Sequence, residues 1–117
     1  DYPTPDGTCV RDYVHVEDLI DAHVCVLKAL RPGDRRFYNL GIGRVYSVRE
    51  VIDSVRRVSG KSLDVSEGPR RDGDPPTLFA RPDRIRAELG WKASITSIDE
   101  IVGSAWKWYQ RNPRGYR

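Results

Sequence analysis

Two arginine positions are the first candidates for chemistry in this sequence. Arg70 and Arg71 precede Asp72-Gly73-Asp74 in a loop closed by Pro75-Pro76. A guanidinium presents a planar fork that suits bidentate contact with phosphate oxygens. The prolines lower the entropic cost of holding such a loop in one shape. Asp74, three residues after Arg71, has two possible roles: orienting the arginine or accepting from a sugar hydroxyl. The competing reading is a solvated charged loop. Arg11 is the second position, on an alternating stretch beside Tyr13 and His15. A guanidinium there calls for an anion, or for a structural pair with Asp12 or Asp18.

Other constellations fall short. His15 and His23 lie eight apart with no cysteine spacing that makes a zinc set, so no metal site is expected. No nucleophile-elbow pattern supports a hydrolase. Gly41-Ile42-Gly43 opens like a dinucleotide fingerprint, but the third glycine position holds Tyr46. That turn reads as an ordinary connection into a helix. No Tyr-x-x-x-Lys pair occurs, and no residue of the chain is read as catalytic.

The elements that must position the arginines follow from periodicity. Residues 10–16 alternate and predict a strand, followed by a helix from about 18 to 30 with Asp18 and Asp21 in its first turn. That helix is apolar nearly all round (Leu19, Ile20, Ala22, Val24, Cys25, Val26, Leu27) and so calls for neighbours on more than one side. Residues 36–40 predict a second strand. Ser47 and Glu50 form a capping box for a helix whose apolar positions run to Val58, with Gly60 as its left-handed stop and Tyr46 placed to staple onto Val51. Leu63 and Val65 suggest a further short strand, and residues 67–76 are a loop. Pro82 starts a short helix that Gly90 ends. Ser97 and Glu100 form a second capping box for a last helix burying Ile98, Ile101, Val102, Ala105, Trp106 and Tyr109, and stopping at Asn112-Pro113. The fold class is therefore α/β, with a few short strands and about four helices.

Composition bounds the rest. The 117 residues suit about one domain. The hydrophobic fraction of 38% makes a thin core. The net charge of +3, carried by 16 Arg and 4 Lys, is too mild and scattered to indicate a nucleic-acid partner. The longest apolar run, Val24 to Leu27, is far below the roughly 20 residues of a membrane span. Two cysteines build no disulfide framework, which favours a reducing compartment. No initiator Met opens the chain, so its start is expected to be a processing point or a boundary within a longer protein.

Five motifs in order carry a resemblance. The run from Asp1 to Val16 (Asp-Tyr-Pro-Thr-Pro-Asp-Gly-Thr-Cys-Val-Arg-Asp-Tyr-Val-His-Val), continued by Asp18-Leu19 and Asp21-Ala22-His23, resembles UDP-glucose 4-epimerases of the extended short-chain dehydrogenase/reductase family. Tyr38-Asn39-Leu40-Gly41-x-Gly43 with Ser47-Val48, then Pro69-Arg70-Arg71-x-Gly73-Asp74-Pro75, Ala87-Glu88-Leu89-Gly90-Trp91, and Trp106…Pro113-x-Gly115-Tyr116 extend it over essentially the whole chain. The resemblance implies the carboxyl-terminal substrate-binding part of a Rossmann-like enzyme. In such enzymes NAD takes a hydride from hexose C4 and returns it to the other face. The NAD-binding domain and the catalytic Tyr-x-x-x-Lys pair belong to an amino-terminal part that this chain lacks, so the chain alone is expected to be inactive. By the same resemblance Arg11 and Arg71 contact the UDP diphosphate and Asp74 binds the ribose. Leu78 takes the position that lines the sugar pocket, often tyrosine in glucose-selective members. Arg81 stands where relatives place aspartate, costing the next helix an N-cap worth about 1 kcal/mol. A cytoplasmic homodimer acting on a UDP-hexose, with no membrane or nucleic-acid partner, is the implied setting.

Overall fold

A computed structural model describes residues 1–116. Three strands of two residues each form a small mixed sheet: β1 (Val10–Arg11), β2 (Tyr46–Ser47) and β3 (Thr77–Leu78). β1 is central, antiparallel to β2 and parallel to β3. Its register pairs Arg11 with Tyr46 on one side and Leu78 on the other. Four helices surround it: α1 (Val16–Ala29), α2 (Val48–Ser59), α3 (Asp83–Leu89) and α4 (Ile98–Arg111). The α/β class with few short strands and four helices is as the sequence predicts.

Local signals act where they were legible. Ser47 Oγ accepts the Glu50 N–H at 3.0 Å while Glu50 Oε2 accepts the Ser47 N–H at 2.7 Å, so the first capping box is complete. Gly60 and Gly90 end α2 and α3 in the left-handed region, at φ of 65° and 69°. Pro82 stands at the α3 N-cap without a side-chain cap bond, and Arg81 pairs with Asp83 instead. The stretch from 67 to 76 holds no helix or strand.

Several expectations need correction. The strand predicted over 10–16 ends at Arg11, because His15 caps α1 and draws the chain into helix at Val16. His15 Nδ1 accepts the Glu17 N–H at 3.1 Å, which leaves Nε2 to carry the proton and meet Ser104 Oγ at 2.7 Å. The predicted strands at 36–40 and at Leu63–Val65 do not form, since neither stretch finds a ladder partner. β2 and β3 lie where no strand was predicted. Each exists only because β1 pairs with it.

The second capping box is not made: Ser97 gives no side-chain cap bond. Asp99, in the first turn of α4, accepts from Ser54 Oγ at 2.6 Å and from Arg57 at 2.7 Å, joining α4 to α2. Of the positions expected to be buried on α4, Ile98 is buried and Ile101, Val102 and Trp106 are half-buried, but Ala105 and Tyr109 are exposed.

The core is small, as the composition implied. Ala22, Ile85 and Trp91 are buried together, with Cys25, Val26, Tyr38, Leu40 and Leu89 packed around them. Asp18, 2% exposed, clamps α1 to the α4 approach by accepting from Ser94 N, Ser94 Oγ and Ile95 N. α1 turns Val16, Ile20, Val24 and Leu27 outward, so its apolar surface is only partly used.

Candidate functional site

The sheet, the first turns of α2 and the loop before β3 enclose a cleft of about 600 Å³. Its floor comes from the extended amino-terminal stretch and β1, which bring Tyr2, Thr8, Cys9, Arg11 and Tyr13 to one side. α2 adds Val48, Arg49, Ile52 and Arg56, and the loop adds Glu67 through Arg71 and Asp74. Three segments distant in sequence therefore share one wall.

Their placement has local causes. Asp6 is the organiser: it accepts from Thr8 N at 2.9 Å, Thr8 Oγ1 at 2.7 Å and Ser47 Oγ at 2.5 Å. These bonds hold residues 6–8 against the start of α2. The Ser47 hydroxyl and then the Thr8 donors keep the Asp6 carboxyl below its usual range despite partial burial. Asp12 plays the same part below the sheet, accepting from Ile42 N at 3.2 Å and Ala80 N at 3.4 Å. Gly41 permits that approach, since a Cβ there would lie 2.5 Å from Asp12 Oδ2 and 2.8 Å from Ala80 O. The Gly41-Ile42-Gly43 turn thus serves β-sheet packing. It leads into β2.

Three of the four residues singled out from sequence meet in the cleft. Arg11, on β1, has its guanidinium 4.0 Å from Asp74 Oδ1. Arg71 donates from Nε to Asp74 Oδ2 at 2.9 Å. Asp74 therefore lies between two guanidiniums, and Arg11 pairs with it rather than with Asp12 or Asp18. Arg71 is 84% exposed, which leaves its donors free for a ligand. The fourth residue, Leu78, pairs in register with Arg11 on β3 but is 57% exposed and outside the cleft lining.

Other lining groups were not singled out. Arg49 and Arg56 stand seven residues apart on α2 and so share a face, a helical spacing that was available to find them. Tyr13 shares the alternating face with Arg11. Burial pushes the Tyr13 phenol above its usual value, as burial and a bond with Cys9 do for Tyr2, so both hydroxyls stay neutral near pH 7. Five arginines and four carboxylates line the cleft, giving a net positive wall. Among the described residues no His/Cys/Asp/Glu cluster could hold a metal ion. What the arrangement offers is charge-assisted hydrogen bonding to a polyoxyanion, with neutral hydroxyls beside it.

Comparison with known proteins shows what the whole chain is similar to. The chain is 45% identical over 117 residues to a UDP-glucose 4-epimerase of Lacticaseibacillus casei, covering 99% of this chain and 35% of that protein. It is 42% identical to a probable UDP-arabinose 4-epimerase of Oryza sativa, covering 99% of this chain and 29% of that one. Its fold superposes on the crystal structure of UDP-glucose 4-epimerase from Bifidobacterium longum in complex with NAD+ and UDP with a TM-score of 0.91, at 42% identity over 99% of this chain and 34% of that one. The chain thus spans about a third of the length of the relatives it matches. A family model described as GDP-mannose 4,6 dehydratase matches residues 3–104, and the chain belongs to that family.

Proposed function

We propose that this chain is the carboxyl-terminal, UDP-sugar-binding part of an NAD-dependent UDP-hexose 4-epimerase. The observation that carries the reading is the convergence of Arg11, Arg71 and Asp74 on one cleft. Arg11 and Arg71 neutralise the diphosphate. Asp74 holds both guanidiniums in place before the ligand arrives and accepts from the nucleotide ribose once it does. Epimerisation at C4 needs a nucleotide sugar held at its diphosphate while the hexose turns over. Anchoring the charge at a fixed pair of guanidiniums leaves the sugar free to rotate.

The residues of this chain do not fit NAD. The one glycine pair that follows an extended stretch runs into β2, and Tyr46 fills the position a third glycine would need. NAD and the catalytic base are assigned to an amino-terminal part of the whole enzyme. On the same resemblance the whole enzyme is read as a cytoplasmic homodimer serving galactose metabolism. None of the described helices is long and apolar enough to cross a membrane. Leu78 is assigned to the sugar end of the site, where a panel of UDP-sugars reads out hexose, N-acetylhexose or pentose preference.

The test is calorimetric titration of UDP into the whole protein. Losing the Arg71 fork removes charged hydrogen bonds worth about 1.5–3 kcal/mol. Arg71→Ala is therefore expected to weaken UDP about 10- to 100-fold while leaving the unfolding midpoint unchanged, because the side chain is exposed. Unchanged UDP affinity would refute the assignment. DNA binding that falls steeply with salt and shows no preference for UDP would point instead to a non-catalytic binding module.

A further inference from the structure

Arg70 and Arg71 are consecutive, yet they engage different parts of the protein. Arg71 reaches Asp74 within its own loop. Arg70 crosses to the amino-terminal stretch, where its guanidinium carbon lies 4.3 Å from the centroid of the Tyr2 ring. Its Nε donates to Asp1 Oδ1 at 2.6 Å, and its Nη2 donates to the Asp1 carbonyl. Farther along, Val10 N donates to Pro76 O at 2.8 Å, which fixes the end of the loop to β1. Among the described residues, the polar contacts that fasten the stretch from 68 to 73 to another part of the chain are those of Arg70.

From this we infer that Arg70 is a positioning residue. Seated on Tyr2 and Asp1, it closes the loop over the cleft and so holds Arg71 where it can grip an anion. Arg70 turns its Nε and one Nη2 N–H to Asp1 and its face to Tyr2, which gives it the positioning part and Arg71 the anion contact. The inference rests on the reading of the cleft as a nucleoside-diphosphate site. It adds a lever that acts on ligand retention: with the latch broken, Arg71 is still present but samples many positions, and the diphosphate dissociates faster.

The experiment is a double-mutant cycle on the whole protein, with UDP and uridine as probes. An exposed cation–π contact and an exposed ion pair are weak, so Arg70→Ala is expected to cost only about fivefold in UDP affinity, mostly in the off-rate. Tyr2→Ala, which removes the ring and leaves the Asp1 bonds, should cost no more than that, and the double variant should be no worse than Arg70→Ala alone. Uridine, which has no phosphate for Arg71, should bind all variants equally. Should Tyr2→Ala also lose uridine, Arg70→Gln takes its place in the comparison with Arg70→Ala and must show the same loss. If Arg70→Ala leaves UDP binding intact while Arg71→Ala weakens it, the latch is refuted and the diphosphate site stands. Additive losses from Arg70→Ala and Tyr2→Ala would refute the latch too, because they would make Arg70 an independent anion contact. If Arg71→Ala has no effect, the site itself fails, and the latch with it.

Discussion

Asp18→Asn should destabilise the protein more than any exposed substitution, and the structure supplies the size. The carboxylate is 2% exposed and accepts three hydrogen bonds, from Ser94 N at 2.9 Å, Ser94 Oγ at 2.7 Å and Ile95 N at 2.9 Å. Oδ1 takes the two from Ser94 and Oδ2 takes the one from Ile95. An asparagine has one acceptor and one donor there, so either orientation sets an NH2 against at least one backbone N–H. Bonds to charged acceptors contribute about 1.5–3 kcal/mol each, and Ser94 is exposed enough for water to replace part of the loss. A net cost of about 3 kcal/mol follows. At a urea slope of about 1.5 kcal/mol/M, the midpoint should fall by about 2 M at pH 7. The pH dependence has a definite sign. Burial alone would raise the Asp18 pKa, but the bonds from Ser94 and Ile95 outweigh it and hold the carboxyl below its usual value. Its contribution is therefore fully present above the unfolded value near 3.9 and is lost as pH falls through the lower folded value. The gap between the parent and Asp18→Asn should accordingly narrow in acid. A midpoint shift under about 0.5 M, or a gap that is constant down through the acid range, would refute the reasoning.

Two further perturbations test the supports of the cleft. Gly41→Ala forces a methyl against Asp12 Oδ2 and Ala80 O, so it should cost about 2 kcal/mol in urea unfolding although Gly41 has no positive φ. Ser47→Ala removes the α2 cap and the 2.5 Å bond to Asp6, so the thermal midpoint should drop by about 4–8 °C. The isolated chain should show no epimerase turnover, since no residue in it is read as the catalytic base; NAD-dependent activity from purified material of this length would contradict that.

How much was legible in the residues alone follows the range of the interaction concerned. Ser47 and Glu50 announce the start of α2, and Gly60 and Gly90 its end and that of α3, because capping bonds and left-handed stops involve residues within one turn of each other. The proline-bounded loop was visible for the same reason. That Arg71 can meet Asp74 was legible because the two are three residues apart and pair locally. The partner of Arg11 was not legible. Arg11 and Asp74 are brought together by β1 pairing with β3, and two-residue strands carry no periodicity of their own. Contacts with distant partners were equally hidden: Asp99 binds Ser54 and Arg57 on α2, and His15 became a helix cap rather than a strand residue. What the sequence by itself determined was therefore the existence of the helices, the ends of α2 and α3, and the loop with its arginines and aspartates. Which carboxylate each arginine meets, and that Arg11, Arg71 and Asp74 share one cleft, only the tertiary structure decided, because those contacts join segments that no short-range rule connects.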